Sequence, residues 1–210
     1  MNIKYELTDE TKNFCGITLH RIRALRDIPS VGVKSGDLGG WIEKESNLCQ
    51  NGNAWVYGDA EVYGDAEVYD NARVYDNARV YDNARVYGNA WVYGDARVYG
   101  YAWVFGDAWV YGDAEVYGDA EVYDNARVCG NAKVCGNADY MTFKNSWSSG
   151  RWFTYTRSNK MWKVGCFYGT GEELIKKAYA DSELSGKCYE AIVRTQEAID
   201  KAIEEAKEAK

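Results

Sequence analysis

Between Asn53 and Ala138 the apolar positions come in pairs, two residues apart within a pair and six residues from one pair to the next. Each unit reads small-polar, Ala, variable, Val, aromatic, Gly-or-Asp. Ala holds its place fifteen times from Ala54 to Ala138, and Val fourteen times from Val56 to Val134, without a slip. A separation of two puts Ala and Val on the same side of a strand. The variable residue between them and the aromatic residue after them then point outward. Gly-Asp, Gly-Asn or Asp-Asn makes the turn, and where Asp takes the Gly place (Asp70, Asp76, Asp82, Asp124) Asn follows. These residue types tolerate tight or left-handed turns. A fixed period of this kind predicts a solenoid with a narrow Ala/Val interior.

The flanks follow different patterns. In residues 1–50, Tyr5 to Leu7 and Ile17 to Leu25 alternate as strands. The alternation shifts by one around Arg21, Ile22 and Arg23, which predicts a bulge. Ile28-Pro29-Ser30 breaks the run, and Gly36 to Ile42 leads toward the repeat. Ile42 and Leu48 lie twelve and six residues before Ala54, so they fit irregular first hexads of a small N-terminal β cap. Residues 51–139 are the repeat. Residues 140–210 form a C-terminal α+β domain. There Tyr140 to Phe143 and Trp152 to Tyr168 alternate, with a turn at Ser158-Asn159-Lys160, and two helices follow. One runs from Glu172 to Ala180 with Thr170 as its cap. The other runs from Gly186 to Lys210, with Ile192, Ile199, Ala202, Ile203 and Ala206 on one face.

Written as Val-aromatic-Gly-Asn-Ala-x, the unit resembles the hexapeptide repeat of left-handed parallel β-helix proteins. That resemblance implies three hexads per triangular coil, about five coils, and a prism roughly 24 Å long at about 4.8 Å per coil. Outward residues eighteen apart then stack. The first face reads Trp55, Arg73, Trp91, Trp109, Arg127. The second reads Glu61, Arg79, Arg97, Glu115, Lys133, and the third Glu67, Arg85, Trp103, Glu121, Asp139. The order of segments, with Arg-Ala-Leu and Gly-Asp-Leu-Gly-Gly-Trp-Ile-Glu before the repeat and Cys-Phe-Tyr-Gly-Thr after it, resembles uncharacterised hexapeptide-repeat proteins. Those are often encoded by bacteriophages or prophages and labelled transferase-like.

Composition narrows the chemistry. The net charge of −7 is concentrated in the repeat, where fifteen acidic residues face six basic ones, a net −9. An acidic rod repels nucleic acid and suits a basic protein surface. No apolar run is long enough for a membrane span or a secretory core. The six cysteines contain no Cys-x-x-Cys and are expected as free thiols in the cytoplasm. Hexapeptide acyltransferases use a histidine at a coil edge as general base; here the one histidine, His20, lies outside the repeat. A three-histidine zinc site cannot be built. Gly36 to Gly40 lacks a phosphate-loop ending, and Gly169-Thr170-Gly171 before a helix offers at most an anion-binding turn. No catalytic residue, cofactor or metal is expected.

The outward positions carry the functional expectation. Trp and Arg are enriched at binding hot spots, and Arg stacked on Trp gains about 0.5–2 kcal/mol. Trp55, Arg73, Trp91, Trp109 and Arg127 are therefore candidate partner-binding residues. Tyr101, standing where other hexads have Asn or Asp, joins them with Trp103. The reading is a non-catalytic protein-binding scaffold. On the resemblance it is a phage-encoded inhibitor of a bacterial defence or nucleic-acid-processing protein, its acids standing in for a phosphate backbone. A hexapeptide-type acyltransferase and a structural or assembly protein that forms homo-oligomers are the alternatives.

Overall fold

The computed structural model describes residues 3–147 and 150–208. The chain divides into two compact units, residues 1–140 and 141–210, so the lead-in and the repeat belong to one body. The first unit opens with β1 (Tyr5–Phe14) and β2 (Ile17–Ala24), an antiparallel hairpin turning at Cys15-Gly16, both with positive φ. A 3₁₀ turn at Pro29–Val31 and β3 (Leu38–Ile42) follow. Fourteen two-residue strands then recur every six residues from β4 (Trp55–Val56) to β17 (Lys133–Val134). From β4 to β14 (Glu115–Val116) each pairs in parallel with the strand eighteen residues on, as Trp91 does with Trp109. The result is a parallel β-solenoid of about five turns with three sheets. The second sheet is extended by β3, β2 and β1.

Ala and Val of every hexad through Val134 are fully buried, and they form one continuous core with Ile42 and Leu48. Those two residues pair with Val62 and Val68, so they are the irregular first rungs the spacing predicts. The bulge in β2 falls between Arg21 and Arg23. Gly39 and Gly40 are required by close approach. A Cβ on Gly39 would stand 2.7 Å from the Val56 carbonyl, and one on Gly40 2.7 Å from that of Ala60.

The turns explain the Asp-for-Gly exchange. Asp70, Asp76, Asp82 and Asp124 take φ of 55–60°, in the left-handed region that Asp tolerates better than most residues. The carboxylates of Asp70, Asp76 and Asp82 accept hydrogen bonds from Gly88, Gly94 and Gly100 N–H, one rung up, at 3.2–3.3 Å. The aromatic slots stack at the corners. Tyr63, Tyr81, Tyr99 and Tyr117 form one ladder with centroids 4.9–5.1 Å apart. Tyr69, Tyr87, Phe105 and Tyr123 form another at 4.8–5.4 Å.

Every rung donates N–H to the carbonyls of the next, as Trp55 N–H does to Ala72 and Tyr57 N–H to Val74. The first rung therefore presents carbonyls and the last presents amides, and buried ends need partners. The lead-in supplies donors at the carbonyl end. Trp41 and Glu43 N–H reach Ala60 and Val62, Cys49 N–H reaches Val68, and the fully buried Lys4 Nζ donates to Ala54 O at 2.8 Å. Burial lowers the Lys4 pKa from 10.5 to about 8. At the amide end the acceptors are side chains. Asp139 takes Cys135 and Gly136 N–H at 2.8 and 3.1 Å, and Asn137 Oδ1 takes Glu121 N–H at 2.8 Å.

Asp139 thus does not continue the third face. It sits in a 3₁₀ turn, Asn137–Asp139, that closes the rod, and the fifteenth repeat alanine, Ala138, is exposed there rather than interior.

The second unit has a four-stranded sheet in the order β18 (Tyr140–Lys144), β19 (Trp152–Thr156), β20 (Met161–Val164), β21 (Phe167–Gly169). Helices α1 (Gly171–Asp181) and α2 (Glu183–Glu208) follow; Lys210, the expected helix end, lies outside the described residues. Thr170 and Glu173 form a reciprocal capping box. The Glu173 carboxylate fills the turn at Gly169-Thr170-Gly171, and the Thr170 N–H it accepts holds its pKa below the usual value. Of the expected isoleucine stripe on α2, Ile192 packs against the core, but the buried line is a different one. It is Tyr189, Val193, Gln196 and Asp200, while Ile199 is 42% exposed. Asp200 is held by Tyr155 Oη at 2.5 Å, Arg157 Nε at 2.9 Å and Gln196 Nε2 at 2.8 Å. Those three donors make its burial tolerable.

Candidate functional site

The first face carries the most distinctive side-chain arrangement on the rod. The backbone pairs Trp55 with Arg73, Arg73 with Trp91, Trp91 with Trp109, and Trp109 with Arg127. Trp91 and Trp109 stack with centroids 4.8 Å apart and planes within 1°. Arg73 lies 4.8 Å from the Trp91 ring centroid, and Arg127 lies 3.7 Å from that of Trp109. The sequence is thus a four-layer sandwich, guanidinium–indole–indole–guanidinium. Both faces of both indoles are covered. What remains outward is ring edges, the electropositive rim of the aromatic quadrupole. With both indole faces covered, the ladder leaves no open ring face for a flat ligand to stack on.

Trp55 does not belong to this surface. It is 1% exposed, with Tyr5 edge-on at 6.3 Å, because the start of β1 lies over the first rung. Its expected role in partner binding is therefore corrected to a core role. The lead-in also supplies a wall the repeat pattern does not reveal. Arg73 Nη2 donates to Ser30 O at 2.7 Å, and Tyr57 Oη donates to Val31 O at 2.7 Å. The Pro29–Val31 turn therefore overhangs the first face. On one side of it a groove of about 590 Å³ is lined by Ser30, Asn71, Arg73, Trp91, Trp109 and Arg127, among others. On the other side a groove of about 840 Å³ is lined by Val31, Tyr57, Asp59, Arg73, Tyr75, Asp76 and Trp91, among others.

Along the corner beside the smaller groove runs an amide chain. Asn53 donates to Asn71, Asn71 to Asn89, and Asn89 to the carboxylate of Asp107, at 2.8–3.2 Å.

The second face closes on itself at its first rungs. Glu61 is buried between Lys12 at 2.8 Å and Arg79 at 3.1 Å, although it occupies an outward slot. Lys12 and Arg21 lie over the Trp41 ring at 4.5 and 5.1 Å, and Arg79 lies over Phe14 at 4.7 Å. Farther along, Glu115 pairs with Lys133 at 3.5 Å. Trp103 of the third face is 36% exposed, with Arg85 5.5 Å from its centroid, and Tyr101, 64% exposed, stands in the turn before it. Trp103 belongs to a different sheet from the Arg73–Arg127 ladder and Tyr101 to the turn before Trp103, so the expected site residues divide between two surfaces.

His20 lies in β2, opposite Ile42 of β3, with Nδ1 3.4 Å from the Thr8 carbonyl. Among the described residues no group of three or more His, Cys, Asp or Glu side chains could hold a metal ion, and no helix is long and apolar enough to cross a membrane.

A family model described as the YdcK Beta solenoid repeat matches residues 78–94 and 90–106. No curated protein matches the chain. The matched segment lies in the middle of the rod and includes Trp91 and Trp103, so in its repeat the chain is similar to the YdcK β-solenoid.

Proposed function

We propose that the protein is a non-catalytic, protein-binding scaffold that recognises its partner through the first face of the rod. The observation that carries this reading is the Arg73–Trp91–Trp109–Arg127 ladder beneath the Pro29–Val31 overhang, flanked by two grooves. Grooves of this size beside Trp and Arg are the usual setting of binding hot spots. The exposed corner aspartates add a field that draws a basic partner. On the resemblance to phage-encoded hexapeptide proteins, that partner would be a bacterial protein of defence or nucleic-acid processing.

Affinity capture of the tagged protein from bacterial lysate, at low and high salt, tests the reading. One basic protein should be enriched at low salt and reduced at high salt. Enrichment that ignores salt, or none at all, argues against it.

A further inference from the structure

The corner between the first and second faces carries a third tyrosine ladder, with a break in it. Tyr75, Tyr93 and Tyr111 stack at 4.8 Å, with planes within 3°. Tyr57, next in line, does not join them. Its ring is turned 83° from that of Tyr75 at 6.2 Å, and its hydroxyl is held by the Val31 carbonyl. The larger groove, about 840 Å³, opens at this break. Tyr57 and Tyr75 both line it, so the groove lies at the end of the ring stack, where turning Tyr57 aside would let one more planar ring continue the ladder. Arg73 and Trp91 stand on the first-face side of the same groove.

The same corner carries the most continuous line of acid on the rod. Asp59, Asp76, Asp95 and Asp113 place one exposed carboxylate on each of four successive rungs. None of the four has an ion-pair partner among the described residues, whereas Asp65 on the next corner is paired with Lys44. Asp59 and Asp76 line the groove itself.

We infer that this groove receives an extended basic segment of a protein partner, with one aromatic side chain seated on Tyr75 and lysines or arginines running along Asp59, Asp76, Asp95 and Asp113. The inference rests on the protein-binding reading above and specifies its ligand. Ring stacking gives the anchor, and the carboxylate line fixes direction and charge.

Calorimetry and backbone NMR with three synthetic peptides test it: a tryptophan flanked on each side by two arginines, the same peptide with alanine for tryptophan, and the tryptophan peptide flanked by glutamates. The basic tryptophan peptide should bind and shift the amide signals of Tyr75 and Gly94. The alanine peptide should bind at least tenfold more weakly, and the acidic one not measurably. Asp59→Asn and Asp95→Asn, which keep side-chain shape at the turn, should weaken binding and flatten its salt dependence. Tyr57→Phe frees the ring from Val31 to turn into the stack, and it should also weaken the tryptophan peptide.

Equal binding of the tryptophan and alanine peptides, or shifts confined to another corner, would overturn the aromatic slot. If no peptide binds while a basic protein is still captured from lysate, the slot is wrong and the scaffold reading stands. If both fail, the scaffold reading fails as well.

Discussion

The first and second faces of the rod share one backbone and one repeat, yet their side chains are used in opposite ways. On the second face opposite charges meet: Lys12 of the hairpin, Glu61 and Arg79 close one cluster, and Glu115 and Lys133 pair farther along. On the first face the guanidiniums lie on indole rings, and their rims face two grooves. The repeat thus supplies an even frame, and what differs between faces is whether the outward ladder satisfies itself. A face closed by ion pairs serves stability, and a face whose aromatic edges line grooves is available for recognition.

The contrast breaks most sharply at Glu61. Glu61→Ala should cost about 2 kcal/mol in denaturant unfolding. That is less than the roughly 3–5 kcal/mol of a fully buried pair, because Lys12 and Arg79 keep about a third of their side chains in water (30% and 36%). Partner binding should survive in the folded fraction. Trp109→Ala should do the reverse. It removes one half-buried layer of the ladder and should cost about 1 kcal/mol of stability. Partner affinity should fall by an order of magnitude or more, read by calorimetry.

The corner tyrosines sharpen the comparison further. Tyr99 Oη donates to Glu115 of the second face at 3.1 Å, whereas the Tyr75 hydroxyl, beside the first, has no hydrogen-bond partner among the described residues. Tyr99→Phe should therefore cost about 0.5–1 kcal/mol, and Tyr75→Phe less. Burial first, and for Tyr99 also the Glu115 hydrogen bond, pushes both phenols up to about 12. The unfolded chain ionises them near 10, so their contribution to stability is complete below pH 10 and falls away as pH rises from 10 toward 12. Thermal unfolding across that window should show the loss. Lys4 works the other way. Its folded pKa of about 8 lies below 10.5, so its burial penalty eases as pH rises from about 8 to 10.5, and Lys4→Met should remove that slope. Neutral Asp95→Asn is the smallest change expected in stability, within about 0.5 kcal/mol.

Much of the rod was legible because its period is exact in number. Six residues per strand and three strands per turn bring Arg73, Trp91, Trp109 and Arg127 into line, and the pairings reproduce that line. The rest depended on contacts no local pattern encodes. Trp55 is buried because Tyr5, fifty residues earlier, lies against it. The groove wall comes from Ser30 and Val31, for which Pro29 was a signal of a turn but not of its position. Apolar spacing on α2 pointed to isoleucines, whereas the packed side carries Gln196 and Asp200, buried because Tyr155 and Arg157 reach them. Rod polarity was hidden too: the spacing places Asp139 at the end of the third face, and its role as an acceptor follows only from the hydrogen-bond direction of the rungs.

The most direct measurement is side-by-side capture of the partner by two variants of the intact chain, Trp109→Ala on the first face and Arg97→Ala on the second, against the unaltered protein. Loss of capture with Trp109→Ala and full capture with Arg97→Ala is the expected result. Full capture by Trp109→Ala, with loss confined to Arg97→Ala, would contradict the assignment of recognition to the first face.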